Sequence, residues 1–290
     1  MKKNLLFLLL LVVLVLGLAS CQKQSTELTL VQLDQGFLGD NAKELSVSIG
    51  IRKGDTTLQG SINQALTKLN REKRNQLMVD AVARADHNLT GESIKLPAYD
   101  SSKPDLVIGL ECNYAPFNWT DTKANDYNYP IDGVSGQYAD GYDIQVAKFI
   151  ASEIGYNLVV KKYTWDALIP ALQIDDIDCI IAGMTDTEDR RKSIDFTDMY
   201  YVSELVIIVR KGSGLETITD ISELKGKRVV SQIGTVTDSI INQIDGVIHL
   251  TPVKTFAIAA LAVLSGDADA MTAEYPVAQA IVAAHSSENE

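Results

Sequence analysis

Several side chains and motifs that mark enzymes are scarce or missing in this chain. It has three histidines, His87, His249 and His285, and none has another near it in the sequence. Histidine is a frequent acid–base catalyst and metal ligand near neutral pH, so we expect no catalytic or metal centre built on it. The phosphate-binding GxxxxGK(S/T), nucleophile GxSxG and zinc-binding HExxH patterns are also missing. We therefore predict a protein that is not an enzyme and holds no metal or cofactor.

Positive charge and cysteine are also scarce. The 290 residues carry 38 acidic and 26 basic side chains, a formal net charge of −12, which argues against a nucleic acid as partner. The three cysteines are too few for a disulfide framework. We expect Cys112 and Cys179 to be free, small residues of the core or of a pocket edge.

Long apolar runs are limited to the start of the chain. Two lysines precede an unbroken apolar stretch from Leu5 to Leu16, and LASC at 18–21 resembles a lipobox. This pattern predicts a lipoprotein signal peptide at 1–20, lipidation of Cys21 and a polar tether at 21–26. An uncleaved membrane anchor is the alternative, and both place the remaining chain outside the cytoplasm, held at a membrane. No later run is long and apolar enough to cross a bilayer.

The first part of the chain predicts two strands and two helices. ELTLVQLD at 27–34 alternates like a strand, as do the apolar residues along 46–51. Apolar residues then recur at helical spacing from Ile62 to Leu69 and again from Met78 to Ala85. The polar stretch 87–104 is the best linker candidate. Since a lone strand and helix cannot bury their apolar faces on each other, this unit must pack against elements elsewhere.

From Asp105 onward, strands alternate with helices. DIQVAKFIASEIG and DALIPALQ predict helices, the first with Asp143 as N-cap and Gly155 as its stop. A short helical turn follows Thr187, where acidic residues precede basic ones. The strands are DLVIGLE, NLVVKKY, DCIIAG, ELVIIVRK, KRVVSQIG, HLTPV and DADAMTA. The alternation predicts an α/β fold with a mainly parallel, covered sheet, and the number of units predicts two lobes.

The stretch IIAGMTDTEDRRKSIDFTDMYY at 180–201 concentrates groups suited to a carboxylate. Gly183 and Thr185 follow a strand and offer backbone N–H groups or a hydroxyl, and Arg190 lies at the start of a helical turn. A guanidinium can bind a carboxylate through two parallel hydrogen bonds. These residues indicate a site for a small zwitterion, which also needs an anion for its ammonium group and benefits from aromatic walls.

Six stretches in register resemble the family 3 solute-binding proteins of polar amino acid ABC transporters. They are ECNYAPFNW (111–119), GYDIQVAKFIA (141–151), WDALIPALQ (165–173), AGMTDTEDRRKSIDFTDMYY (182–201), SQIGTV (231–236) and DADAMTAEYP (267–276). The resemblance implies a periplasmic-binding-protein-like fold, with two α/β lobes joined by a two-strand hinge. It also implies an extracytoplasmic monomer that captures an amino acid and delivers it to an ABC permease.

For the carboxylate end of the ligand, the resemblance assigns roles to five positions. Arg190 would clamp the α-carboxylate, helped by Gly183 and Thr185. Backbone amides at a helix start, those of Thr235 and Val236, would add further hydrogen bonds. An ordinary solvated basic run at 190–192 is the alternative for Arg190.

For the rest of the ligand, the resemblance assigns five more positions. Glu274 would bind the α-ammonium, whereas Tyr114 and Trp165 would sandwich the side chain. Glu111 would face the far end of that side chain, and Gln232 would line the pocket from the second lobe. The alternatives are a surface carboxylate for Glu274, plain core aromatics, and an ion pair of Glu111 with a protein cation.

Two acidic and two aromatic pocket residues favour a cationic ligand side chain, as in arginine, lysine or histidine. Glutamine is the close alternative, because an amide can also donate to Glu111. Two other functions on the same scaffold are alternatives. One is a dehydratase acting on cyclohexadienyl substrates, and the other is a sensor domain that signals through a separate partner.

The order of the elements departs from the family. Family members return from the second lobe along a second hinge strand and end with helices on the first lobe. Here the elements that resemble this strand and these helices lie at 27–85. We therefore predict a circular permutant, with 87–104 joining the usual ends and new termini between Ser286 and Glu27. A remnant of a tandem copy and a domain-swapped dimer are the alternatives.

This permuted order predicts the domain boundaries. Lobe 2 would combine 27–43 with 212–290, and lobe 1 would extend over 44–211 with the linker inside it. The lipid anchor would then be attached to lobe 2 through the strand at 27–34.

Overall fold

The structure, a computed structural model, describes residues 25–33 and 44–286. The predicted signal peptide, the lipidation site Cys21 and most of the tether lie outside these residues, as does part of the predicted lobe 2 at 34–43. The described residues form a mixed α/β fold with two sheets. Within these two ranges, no helix is long and apolar enough to span a membrane.

The described chain contains thirteen strands. They are β1 (Leu28–Val31), β2 (Glu44–Arg52), β3 (Asp105–Leu110), β4 (Asn113–Tyr114), β5 (Asn118–Asp121), β6 (Tyr129–Pro130), β7 (Tyr138–Asp140), β8 (Asn157–Lys162), β9 (Cys179–Ile180), β10 (Ile194–Arg210), β11 (Arg228–Val230), β12 (Ile248–His249) and β13 (Ala270–Glu274).

Eight α-helices accompany these strands in the described ranges. They are α1 (Thr56–Lys68), α2 (Arg71–Ala85), α3 (Tyr142–Ile154), α4 (Leu168–Gln173), α5 (Glu188–Arg191), α6 (Val236–Ser239), α7 (Phe256–Ser265) and α8 (Tyr275–Ala284). Short 3-10 turns at Trp165–Ala167, Ile221–Leu224 and Ile240–Gln243 complete the helical elements.

The main sheet has the order β12-β11-β13-β10-β2-β9-β3-β8, with β1 also paired to β10. Strand β10 is the link between its two parts. The residues of β10 up to Glu204 pair with β2, and those from Leu205 to Val209 pair with β13. We call β8, β3 and β9 the first half-sheet, and β12, β11 and β13 the second half-sheet; β2 and β10 lie between them.

The prediction of a mainly parallel sheet was wrong at the centre. Strand β10 runs antiparallel to β1, β2 and β13, and β2 runs antiparallel to β9. The outer pairs β3–β8, β3–β9, β11–β12 and β11–β13 are parallel. Two long strands that run in opposite directions between the half-sheets therefore separate two parallel parts.

The early strand-helix unit packs in the middle of the main sheet. Strand β2 lies between β10 and β9, and its residues Val47, Ile49 and Ile51 are fully buried. Helix α1 begins after Asp55, whose side chain accepts a hydrogen bond from the Leu58 N–H, and it packs against α3 and β10. The predicted strand and helices are thus confirmed, and β2 pairs with strands more than a hundred residues away in the chain.

The polar stretch 87–104 contains no helix or strand, as predicted. It is nevertheless held to α3 and β8 by buried side chains. Gln145 Oε1 accepts a hydrogen bond from the Ile94 N–H at 3.0 Å. Asn157 Oδ1 accepts one from the Asp100 N–H, also at 3.0 Å.

A second, four-stranded sheet of order β4-β5-β7-β6 was not predicted. Its strands have two to four residues, too few for a clear alternation in the sequence. The prediction of Asp143 as a helix N-cap was also wrong. Helix α3 begins after Gly141, and Asp143 lies fully buried in its first turn. Gly155 ends this helix in the left-handed conformation, as predicted.

Both cysteines of the described chain, Cys112 and Cys179, are free and buried, in agreement with the sequence.

Candidate functional site

A small, partly open cavity lies where strands of the two half-sheets end. The parallel strands β3 and β9 end at Leu110 and Ile180, just before one wall of the cavity. Strands β11 and β13, also parallel, end just before or within the opposite wall. Because the carboxyl ends of parallel strands lie at one edge of a sheet, the loops after them meet there.

The cavity is lined by all ten residues that the sequence predicted and by two further ones. Its lining consists of Glu111, Tyr114, Trp165, Gly183, Thr185, Arg190, Gln232, Thr235, Val236, Thr237, Phe256 and Glu274.

Arg190 supplies the positive charge of the lining. Its guanidinium donates to the carbonyl oxygens of Thr185 at 2.6 Å and Gly234 at 3.1 Å, and it lies 5.2 Å from the centre of the Trp165 ring. Thr187, the predicted cap of α5, accepts a hydrogen bond from the Arg190 N–H. Since a guanidinium has five N–H groups, these two bonds leave donors for an anion.

On the facing wall, the loop from Gln232 to Val236 forms a tight turn before α6. The Thr235 hydroxyl donates to the Gln232 carbonyl at 2.7 Å and accepts from the Asp238 N–H at 3.1 Å. Helix α6 therefore starts at the predicted position, with Val236 as its first residue.

Glu274 is the last residue of β13 and is 2% exposed. Its Oε2 accepts a hydrogen bond from the Tyr114 hydroxyl at 2.7 Å. Burial raises the pKa of Glu274 to about 7, although this hydrogen bond and the nearby Arg190 charge act in the opposite direction. The carboxylate forms no ion pair within 4.0 Å among the described residues.

Glu111 directly follows β3 and is 4% exposed. Its Oε1 accepts a hydrogen bond from the Gln232 side-chain amide at 2.9 Å, which connects the two walls. Burial raises the pKa of Glu111 to about 7, and Asp166 raises it further, whereas Gln232 and Lys162 lower it. The part of the chain that the structure describes offers Glu111 no ion-pair partner within 4.0 Å.

The aromatic residues are arranged around Tyr114. Its ring stacks on Phe117 at 5.2 Å and on Phe256 at 5.0 Å between ring centres. Trp165 instead lies against Arg190 and donates its ring N–H to the Gly234 carbonyl at 3.2 Å. The sandwich of Tyr114 and Trp165 around a ligand stays a prediction.

Gly183 allows Tyr114 to lie close to the loop after β9. Its φ is +61°, and a Cβ atom at this position would lie 2.7 Å from Cε1 of Tyr114. A side chain there would therefore be strained and would push the ring away.

Thr237 and Phe256 line the cavity but were not predicted from the sequence. Thr237 directly follows the predicted pair Thr235–Val236, and its hydroxyl lies 2.8 Å from that of Thr235 and 2.9 Å from that of Ser231. Phe256 is the first residue of α7, after the cap Thr255, in a segment that is apolar on all sides. Only its position at a helix start distinguished Phe256 from a core residue.

A family model described as bacterial extracellular solute-binding proteins, family 3, matches residues 106–282. The arginine-binding extracellular protein ArtP of Bacillus subtilis is 32% identical over 137 residues, which are 47% of each chain. A probable histidine-binding protein of Campylobacter jejuni is 31% identical over 180 residues, which are 61% of this chain and 63% of that protein. This chain thus spans about half to two thirds of these relatives' length.

The chain is also similar to solved structures of arginine-binding proteins. Holo ArgBP from T. maritima is 35% identical with a TM-score of 0.53, covering 62% of this chain and 73% of that one. An ancestral arginine-binding protein bound to arginine is 33% identical with a TM-score of 0.53, covering 62% of this chain and 74% of that one.

The buried carboxyl group of Glu111 predicts a specific pH dependence of stability. Its pKa rises from 4.5 to about 7 on folding, so the group destabilises the fold increasingly as pH rises from about 4.5 to 7. Glu111→Gln should therefore gain up to about 3 kcal/mol in unfolding free energy relative to wild type across this range. Denaturant titrations without ligand at several pH values measure it.

The exposed carboxylate of Glu188 provides the control. Glu188→Gln should show no such gain. A stability difference between Glu111→Gln and wild type that is the same at pH 4.5 and pH 8 would contradict the assignment.

Proposed function

Because the chain belongs to the bacterial extracellular solute-binding proteins of family 3, we propose that it captures a basic amino acid in this cavity and delivers it to an ABC permease. The observation that carries the proposal is the charge arrangement of the cavity. One guanidinium, Arg190, lies in the same lining as two buried carboxylates, Glu111 and Glu274, which lack ion-pair partners among the described residues. Family members are not enzymes, so we do not propose the dehydratase reaction.

Arg190 is proposed to bind the α-carboxylate of the ligand. Its free N–H groups suit a bidentate pair, and Gly183, Thr185 and the amides of Thr235 and Val236 lie in the same lining. Glu274 is proposed to bind the α-ammonium group. Its burial makes an unpaired negative charge costly, and a cationic group would offset that cost.

Glu111 is proposed to select the ligand side chain. A second buried carboxylate favours a second positive charge on the ligand, as in arginine or lysine. We propose that Phe256 joins Tyr114 and Trp165 in the wall around the aliphatic part of that side chain, because it stacks on Tyr114 inside the cavity. Relatives named as arginine-binding proteins support this ligand class.

Glutamine is the second candidate ligand, and one contact favours it. The amide of Gln232 already donates to Glu111 at 2.9 Å, so the carboxylate accepts an amide donor in this geometry. A ligand amide would take over that bond. A relative in Bacillus subtilis is named as a glutamine-binding protein.

We propose a two-lobed arrangement with the predicted boundaries, 44–211 for lobe 1 and 27–43 with 212–290 for lobe 2. Strands β2 and β10 would form the hinge. Strand β2 bonds to β9 of the first half-sheet, β10 bonds to β13 of the second, and the two strands pair with each other. The cavity would then close between the lobes around the ligand.

The lipobox-like sequence supports a further proposal, a lipid anchor at Cys21. Cys21 lies outside the described residues, whereas β1 begins at Leu28 and pairs with β10. Seven residues span at most about 25 Å, so a lipid at Cys21 would hold lobe 2 close to the membrane surface.

We also propose that the chain is a circular permutant of its family. The support is that residues 44–85 precede the matched region 106–282, yet supply a central strand and two helices of the same fold. The stretch 87–104 would join the family's usual ends, and it is held along its course by Gln145 and Asn157.

The ligand class is tested by a thermal-shift screen of the full chain against the common amino acids. Arginine or lysine should raise the melting temperature most, because a ligand that binds the folded state stabilises it by mass action. Glu111→Gln should reduce the shift with arginine more than the shift with glutamine. A screen without any shift would remove the proposed function, and a largest shift with an acidic or apolar amino acid would remove the basic class.

The role of Arg190 is tested by alanine substitution. Arg190→Ala should weaken amino acid binding by about 2–5 kcal/mol, since it leaves the ligand carboxylate buried without its partner. The neighbour Arg191, whose side chain is 56% exposed and pairs with Asp186, is the matched control. Calorimetric titration should show an unchanged affinity for Arg191→Ala. Equal affinity in both variants would remove Arg190 from the site.

The permutation is tested by restoring the family order. Residues 27–86 are moved behind Ser286 through a flexible linker, which should be tolerated because α8 packs against β1. The rearranged chain should fold as a monomer and bind the same ligand within about threefold of wild type. An unfolded product would contradict the permutation, and a dimeric mass for the wild-type chain by light scattering would favour the domain swap.

A further inference from the structure

A buried hydrogen-bond network beneath the cavity converges on Asp143, whose side chain is not part of the cavity lining. Asp143 lies in the first turn of α3 and is fully buried. Its Oδ1 accepts a hydrogen bond from the Tyr200 hydroxyl at 2.6 Å. Its Oδ2 accepts one from the Asn118 side-chain amide at 2.7 Å.

Each of these two donors also holds one wall of the cavity. The Tyr200 hydroxyl accepts a hydrogen bond from the Gly183 N–H at 3.0 Å, and the Asn118 Oδ1 accepts one from the Cys112 N–H at 2.7 Å. Cys112 directly follows Glu111 and has a φ of +59°, which is unfavourable for a residue with a side chain. A single carboxylate thus connects the loop after β3 with the loop after β9.

The polarity of this network is fixed from both ends. The N–H groups of Gly183 and Cys112 can only donate, so the Tyr200 oxygen and the Asn118 oxygen must accept from them. Tyr200 and Asn118 then present donors to the centre, where the group between them must accept twice. An ionised aspartate does so, whereas an asparagine at 143 has only one acceptor oxygen, so one of the two donors would lose its acceptor.

We propose that Asp143 is a positioning residue which, through Tyr200 and Asn118, holds Gly183 and Glu111 in the geometry that binds the amino acid. This inference rests on the proposed function of the cavity. It differs from a general contribution to stability, because it requires that cutting a link to a cavity wall weakens binding more than removing a buried hydroxyl that contacts no cavity residue.

Tyr200 and Tyr142 provide a matched pair for this test. Both are fully buried, and their rings stack on each other at 5.8 Å. The Tyr142 hydroxyl donates to the Tyr200 carbonyl at 2.8 Å, and that bond does not involve a cavity residue. Tyr200→Phe and Tyr142→Phe therefore each remove one buried hydroxyl, but only the first releases the Gly183 N–H.

The test measures arginine affinity by calorimetry on the full chain, together with melting temperature and amide exchange. Both variants should lower the melting temperature, Tyr200→Phe by more, because the Tyr200 hydroxyl makes two hydrogen bonds and the Tyr142 hydroxyl makes one. Tyr200→Phe should weaken binding about tenfold and speed exchange of the Gly183 amide at least tenfold, whereas Tyr142→Phe should change each less than twofold. Equal affinity losses in the two variants, or none in either, would overturn the inference.

A rescue experiment provides a second test with a different pair of substitutions. Asp143→Asn alone should weaken binding about tenfold. Adding Asn118→Asp reverses donor and acceptor between the two positions, so every hydrogen bond of the network can form again. The double variant should return to within about threefold of wild-type affinity, and a double variant no better than Asp143→Asn would contradict the proposed role.

The experiments distinguish failure of the proposed function from failure of the positioning role of Asp143. If wild type binds none of arginine, lysine, histidine and glutamine, the proposed function fails and the positioning role fails with it. If wild type binds and the variants do not separate, only the positioning role fails.

Discussion

The fold depends on the antiparallel pairing of β2 with β10. This pairing inserts a strand from the start of the chain between β10 and β9, and the Ile49 N–H donates to the Thr197 hydroxyl across 148 residues of sequence. Without β2, the first half-sheet would lose its connection to β10. The cavity would lose its support as well, because Arg190 and Gly183 lie in the loops and turn between β9 and β10.

The cavity contains two buried acidic groups and few protein groups that offset their negative charge. Two carboxyl groups, Glu111 and Glu274, are buried without an ion-pair partner among the described residues. Burial of an unpaired negative charge is unfavourable. Each has instead one hydrogen bond from a neutral group, Gln232 or Tyr114. Such an arrangement favours a positively charged group beside the two carboxyl groups.

Much of the site could be predicted because its residues lie in short motifs next to strand ends. Gly183 and Arg190 were placed in this way and Glu274 through the family resemblance, and the three meet in one cavity. Phe256 was missed because an apolar helix gives no signal for which end faces a cavity. The antiparallel centre was missed because the alternation of strands with helices predicts parallel pairing, whereas β2 and β10 come together from distant parts of the chain. Asp143 was misjudged because its partners, Asn118 and Tyr200, are distant in sequence.

The raised pKa values of Glu111 and Glu274 couple ligand binding to proton release. With both values near 7, each of the two carboxyl groups is partly protonated at neutral pH. A cationic ligand favours the ionised carboxylates, so its arrival would release protons to the surroundings. The heat of capture would then include the ionisation heat of the buffer, and affinity would follow the acidity of the medium around the protein.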